Sequence, residues 1–145
     1  MTVRTWITLS IAILVALSVA IVVRLLAPVP HPPILARSGE ARLEGRLIEA
    51  CWPQRGGDLR CEKGSGTNDP MTIPGEGELR IVVAYPAQPE EGSLRVMRGR
   101  KTVLGSKDWE DEVTYDLDAG TYELIAEARY PQDAFVRYRF AFRVR

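Results

Sequence analysis

An uncharged apolar run, WITLSIAILVALSVAIVV at residues 6–23, is the strongest constraint on how this chain folds. A helix of that length spans about 27 Å, close to the thickness of a bilayer core. Trp6 suits the membrane interface, and the run has no polar face with which a soluble helix could meet water. We therefore predict one N-terminal transmembrane helix, a signal anchor, over residues 1–27.

Cleavage of this segment is the alternative. Arg4 supplies a short basic region, and Ser18-Val19-Ala20 is similar to the small-x-small site of a secretory signal peptide. The apolar run continues past Ala20, which favours an anchor over a cleaved, secreted form.

The orientation of the chain rests on two opposing signals. The positive-inside rule, applied to Arg24, Arg37 and Arg42, would keep the C-terminal part in the cytoplasm. Cys51 and Cys61 are the only cysteines, and such a pair behind an apolar N-terminus indicates a disulfide in an oxidising compartment. Closing so short a loop stabilises a fold by about 2–3 kcal/mol. Giving more weight to the cysteines, we expect a single-pass membrane protein with an extracytoplasmic C-terminal domain.

A proline-rich segment, residues 28–40, follows the helix. The prolines between residues 28 and 33 favour an extended polyproline II linker that spaces a domain from the membrane. His31, the only histidine, is expected to be an exposed linker residue without partners.

Residues 41–145 have the pattern of an all-β domain. Apolar and polar residues alternate, and they do so best in FVRYRFAFRVR at residues 135–145. A first strand is predicted at residues 42–50 and an irregular loop at residues 50–77. About seven short strands favour an antiparallel two-sheet sandwich, with a closed barrel as the alternative.

The stretch DLDAGTYEL, residues 116–124, precedes one of these strands. Its Asp118, Gly120 and Tyr122 resemble the tyrosine corner of immunoglobulin-like domains, where the phenol bonds back to the turn before strand F. Leu124 stands where antibody-type domains have a cysteine, so the sequence is more similar to bacterial Ig-like and fibronectin-III-like sandwiches. The resemblance implies an Ig-like fold, and it implies no ligand.

The arginines of the last strand face outward in this pattern. We expect Glu127 to lie opposite Arg139 and Glu123 opposite Arg143, which leaves Arg137 and Arg145 for a partner. Two tryptophans, Trp52 and Trp109, are the other candidate contacts, although each could instead pack against the core.

Signatures of catalysis are missing from the sequence. It has no GxSxG, HExxH, P-loop or CxxC motif, so we expect no catalytic site, no cofactor and no metal. The spacing of possible calcium ligands, Asp58, Glu62, Asn68 and Asp69, matches no known loop. Carboxylates that leave a hydrolase open in principle are Asp58, Glu62, Asp69, Asp108, Glu110 and Asp111.

The charges exclude one class of partner. With 19 basic and 19 acidic side chains, nothing indicates nucleic-acid binding. The sequence predicts a binding module held in the lipid bilayer, an accessory or scaffolding subunit with a membrane or envelope protein partner. The alternatives are a module for envelope polysaccharide, a carboxylate-dependent hydrolase, and a structural subunit assembled through its helix.

Overall fold

The computed structural model describes residues 3–64, 69–73, 78–84, 88–108 and 112–145. Within these ranges, one helix precedes eleven strands. They are α1 (Val3–Leu26), β1 (Leu35–Ser38), β2 (Ala41–Leu43), β3 (Gly45–Pro53), β4 (Leu59–Lys63), β5 (Met71–Ile73), β6 (Glu78–Ala84), β7 (Glu91–Arg98), β8 (Lys101–Asp108), β9 (Glu112–Asp116), β10 (Gly120–Arg129) and β11 (Phe135–Val144).

Helix α1 is long and apolar enough to cross a membrane. The stretch Trp6–Leu26, 21 residues, has a mean hydropathy of 2.7, and none of it is buried inside the protein. The hydroxyls of Ser10 and Ser18 donate to the carbonyl oxygens of Trp6 and Leu14, at 3.0 and 2.8 Å. These two polar side chains are thus satisfied within the helix, which suits an apolar solvent.

The strands form two sheets with antiparallel neighbours. The smaller sheet has the order β2-β1-β6-β9, and the larger has the order β4-β3-β11-β10-β7-β8. Strand β5 extends the larger sheet by pairing in parallel with the end of β11. The fold is thus sandwich-like and mostly β, as the sequence predicted, behind one apolar helix.

Residues from both sheets contribute to one core. On β10 the alternate residues Tyr122, Leu124 and Ala126 are buried, and on β11 Phe140 and Phe142 are fully buried. From the smaller sheet, the core receives buried residues that include Ala36, Leu43 and Val83. The alternation predicted for the last strand is confirmed, because its apolar residues face this core.

The proline-rich segment differs from the expected linker. Residues 35–38 form β1, which lies between β2 and β6 in the smaller sheet, and Ile34 and Ala36 are each only 2% exposed. Ala36 pairs with Val83, far along the chain. The sequence could not reveal this pairing, because four residues are too few to establish an alternation.

The strand predicted at residues 42–50 is instead two strands that belong to different sheets. The chain leaves β2 at Leu43 and enters β3 at Gly45. An added Cβ at Gly45 would lie 2.5 Å from Cε1 of Phe140, so only glycine lets the backbone pass this close to the core.

Candidate functional site

The segment predicted as an irregular loop contains a disulfide-linked hairpin. Strands β3 and β4 pair antiparallel, with Cys51 directly opposite Cys61 and their Cα atoms 4.0 Å apart. The turn closes through a bond from the Gln54 amide to the Asp58 carbonyl, and Gly57 has a φ of +88°. The predicted disulfide is present, and it joins the edge strand β4 to the rest of the larger sheet.

The proline-rich segment packs on this hairpin. The side-chain amide of Gln54 forms two hydrogen bonds with the backbone of Val29. Its Oε1 accepts from the Val29 amide at 2.9 Å, and its Nε2 donates to the Val29 carbonyl at 3.3 Å. Two residues later, His31 Nε2 lies 2.8 Å from Glu62 Oε1. These contacts attach the tether, residues 27–33, to the β-domain.

The structure thereby changes the interpretation of His31. Its side chain is only 17% exposed, and its ring meets the Tyr138 ring edge-on at 6.1 Å. Burial raises the pKa of the Tyr138 phenol, and the nearby Glu62 carboxylate raises that pKa further. No sequence pattern indicates the contact of His31 with Glu62, because the residues around His31 come from strands that are distant along the chain.

A cavity of about 240 Å³ lies between the tether and the hairpin. Trp52 in its wall is half-buried and meets the Tyr130 ring edge-on at 5.1 Å. This position favours the packing alternative for Trp52 over an exposed anchor. The lining residues are Pro28, Val29, Pro30, His31, Ala50, Trp52, Gln54, Arg60 and Glu62.

A second candidate surface is the outer face of the larger sheet, where the expected register is wrong by two residues. Glu127 lies opposite Arg137, and Ile125 lies opposite Arg139. The loop between β10 and β11 is closed tightly by a bond from the Tyr130 amide to the Ala134 carbonyl, at 2.8 Å. This turn closure sets the observed register of β10 and β11, which differs by two residues from the register predicted from the sequence.

Arg137, expected to be left over, is held in a charge network. Its Nε donates to Glu127 Oε2 at 2.7 Å, and its Nη1 lies 3.9 Å from Glu49 Oε2. Arg129 Nε donates to the other oxygen of Glu127 at 3.0 Å. Burial raises the pKa of the Glu127 carboxyl, but the hydrogen bonds and charges of the two arginines outweigh it, so the pKa lies below its ordinary value.

One row of the outer face is basic. Arg46, Arg139, Ile125 and Arg95 lie side by side on β3, β11, β10 and β7. We call these four residues the arginine row. Arg139 Nη1 lies 3.8 Å from Glu123 on the neighbouring row. This row is not predictable from the sequence alone, because it depends on the pairing of β3 with β11.

The DLDAGTYEL stretch forms a hydrogen-bonded turn just before β10. Tyr122 donates its hydroxyl to the Asp118 carbonyl at 2.7 Å. Arg98 Nη2 donates to the Ala119 carbonyl at 3.3 Å, and its guanidinium carbon lies 5.5 Å from the centroid of the Tyr122 ring. An added Cβ at Gly120 would lie 2.9 Å from Arg98 Nη2, at the end of a flexible, exposed side chain that covers this corner.

The remaining candidate residues do not form a binding site within the described ranges. Trp109, Asn68, Glu110 and Asp111 lie outside the described residues, and Arg145 is exposed. Within the described ranges, no three His, Cys, Asp or Glu side chains are grouped so as to hold a metal ion. Asp58, Glu62 and Asp69 are therefore not gathered into a metal-binding group in this part of the chain.

Comparisons with known proteins add no relative. No family model matches the chain, and neither a curated protein nor a solved structure matches it.

Proposed function

We propose that this chain is a membrane-anchored, extracytoplasmic binding module with an Ig-like fold, an accessory or scaffolding subunit of a membrane or envelope assembly. One observation carries the proposal. An exposed apolar helix ends at Leu26, and Val29 is already bound to the disulfide-linked hairpin. The chain thus joins a membrane-spanning element to a small domain stabilised by a disulfide.

The strand order supports the Ig-like part of the proposal. Strands β1, β6 and β9 are neighbours in the order expected of A, B and E, and β11, β10 and β7 in that of G, F and C. Strand β8 takes the position of C′. The Tyr122 hydroxyl bonds back to Asp118 at the start of the strand that corresponds to F.

The disulfide supports an extracytoplasmic location, because cytoplasmic thiols are normally kept reduced. The test is to express the full chain with its helix and to treat intact spheroplasts with protease and with a membrane-impermeant thiol reagent. We expect proteolysis of the domain and no alkylation of Cys51 or Cys61 before reduction. A protected domain whose thiols react only after lysis would contradict this location.

The arginine row is the surface that we propose for the protein partner. Arg95 of this row is exposed and lies in line with Arg139 and Arg46 across the sheet, so an anionic group of a partner is favourable there. An acidic protein segment fits this surface. Trp52 packs on Tyr130 instead of standing on an open sheet face, which gives less support to a glycan-binding alternative.

Co-purification in mild detergent tests the subunit role. We expect a reproducible membrane protein partner with the native chain and its loss with Arg95→Glu, which changes an exposed position of the row. Arg100→Glu, at an exposed position beyond β7, is the matched control. A lone monomer in every preparation would contradict the proposal, and equal partner recovery with both variants would move the contact off this row.

A further inference from the structure

The β3–β4 turn is tied to the membrane end of the tether. Val29, whose backbone is hydrogen-bonded to the side chain of Gln54, is three residues beyond the end of α1 at Leu26. Three extended residues span at most about 11 Å. Val29 therefore lies within about 11 Å of the end of α1, and the side chain of Gln54, at the start of the turn, is hydrogen-bonded to its backbone.

We propose that the lipid-facing turn, residues 54–60 with Arg24, binds the anionic headgroups of phospholipids. This inference rests on the proposed membrane insertion of α1. It assigns to the hairpin turn a role separate from that of the arginine row, the surface proposed for the protein partner.

The charge of the turn fits that ligand. Arg55 and Arg60 are exposed, and Arg24 is the basic residue in the last turn of α1. Arg55 Nη1 donates to the Arg24 carbonyl, which brings these two arginines together. Asp58 is the single acidic residue within the turn, so the cluster has net positive charge near the lipid surface.

The turn also offers apolar and amphipathic groups at the depth where lipid headgroups meet acyl chains. Leu59 is 40% exposed although it is a large apolar residue. The cavity between tether and hairpin is lined by both Trp52 and Arg60. A tryptophan next to a cation suits the membrane interface, where an indole is half-solvated and a phosphate is within reach.

The test measures lipid retention by the full chain. The chain is purified in mild detergent and titrated with phosphatidylglycerol or with phosphatidylcholine, and bound lipid is counted by native mass spectrometry. An arginine near an anionic surface contributes about fivefold in affinity. We expect preferential retention of phosphatidylglycerol, and a loss of about 25-fold in the double variant R55Q/R60Q.

Two matched variants isolate the charge of the turn. R55K/R60K keeps the charge and should retain phosphatidylglycerol. R100Q/K101Q removes two exposed cations at the β7–β8 turn and should bind as the native chain does.

Three results would overturn the inference. Equal retention of the two lipids would do so, as would R55Q/R60Q binding phosphatidylglycerol like the native chain. If either occurs while the chain resists alkaline carbonate extraction from vesicles, the proposed anchor stands and only the headgroup site fails. Extraction of the native chain by carbonate would contradict both the proposed membrane anchor and the proposed headgroup site.

Discussion

The hydroxyl of Tyr122 lies 2.7 Å from the carbonyl oxygen of Asp118, four residues earlier in the chain. The same ring stacks on Phe142 in the core, with centroids 5.8 Å apart. One side chain therefore fixes the turn before β10 to the buried face of the larger sheet. A tyrosine suits this position because its ring packs while its hydroxyl satisfies a backbone carbonyl.

Removing that hydroxyl should destabilise the fold. We expect Tyr122→Phe to lower the free energy of unfolding by about 1–2 kcal/mol, because the Asp118 carbonyl loses its partner while the ring remains. The control is Tyr130→Phe, since the Tyr130 hydroxyl is buried and has no hydrogen-bond partner among the described residues. That change should be neutral or stabilising. Urea unfolding of both variants measures the difference, and equal losses would contradict the role of the Tyr122 bond.

The carboxylate of Glu127 should make stability depend on pH. Its two arginine partners hold its pKa below the ordinary value of 4.5, so its contribution is present above pH 4.5 and is lost as pH falls through the lowered pKa. We expect Glu127→Gln to cost about 1 kcal/mol at neutral pH. The difference from the native chain should shrink below pH 4.5, as measured by urea unfolding between pH 7 and pH 3.

Glu123→Gln is the matched control for this charge. The Glu123 side chain is 39% exposed and lies 3.8 Å from Arg139, whereas Glu127 is 15% exposed and lies 2.6 Å from Arg137. Exposed, longer ion pairs contribute less. A larger loss for Glu123→Gln than for Glu127→Gln would show that burial does not strengthen the Glu127 network.

The disulfide should stabilise mainly the edge strand. Cys51→Ala/Cys61→Ala should lower the free energy of unfolding by about 2–3 kcal/mol, because the unfolded chain regains the freedom of the closed loop. Hydrogen exchange should show the greatest loss of protection in β4, which pairs only with β3 among the described strands. Uniform loss across β10 and β11 would indicate instead that the bond supports the whole sheet.

The sequence predicted best where one strand carries a long alternation. Over the ten residues of β11, apolar residues that include Phe140 and Phe142 alternate with residues that are mostly arginine. The burial of the two phenylalanines follows from this period of two. The presence of only two cysteines in the sequence likewise predicted the disulfide between them. Both signals are local, and each needs no knowledge of the partner strand.

Prediction was poorer where an element depends on a distant partner. The prediction that His31 is exposed and without partners is wrong, because its contact with Glu62 exists only when the tether lies on the hairpin. The register of Glu127 was misplaced because turn closure cannot be read from residue types alone. Gln132 and Asp133 both adopt positive φ, of 63° and 59°, and neither is glycine.

These two residues offer a stabilising substitution. Gln132 occupies the left-handed region, which is unfavourable for residues with a long side chain and free of steric cost for glycine. We expect Gln132→Gly to raise the free energy of unfolding by about 0.5–1 kcal/mol, the relief of strain exceeding the added flexibility of the unfolded chain. Gln132→Ala keeps the Cβ and should give no gain. Thermal unfolding of the two variants compares them, and equal melting temperatures would exclude strain at this position.

The crossing between the two sheets at Gly45 should tolerate an added methyl group poorly. At Gly45 an added Cβ would lie 2.5 Å from Cε1 and 2.9 Å from Cζ of Phe140, whose side chain is fully buried. Since that ring has no room to withdraw, we expect Gly45→Ala to cost about 1–3 kcal/mol. Gly105→Ala on the edge strand β8 is the control, because a Cβ there meets nothing within 4 Å. Urea unfolding should separate the two variants. If Gly45→Ala proved as stable as Gly105→Ala, the backbone at β3 could not be packed this tightly against Phe140.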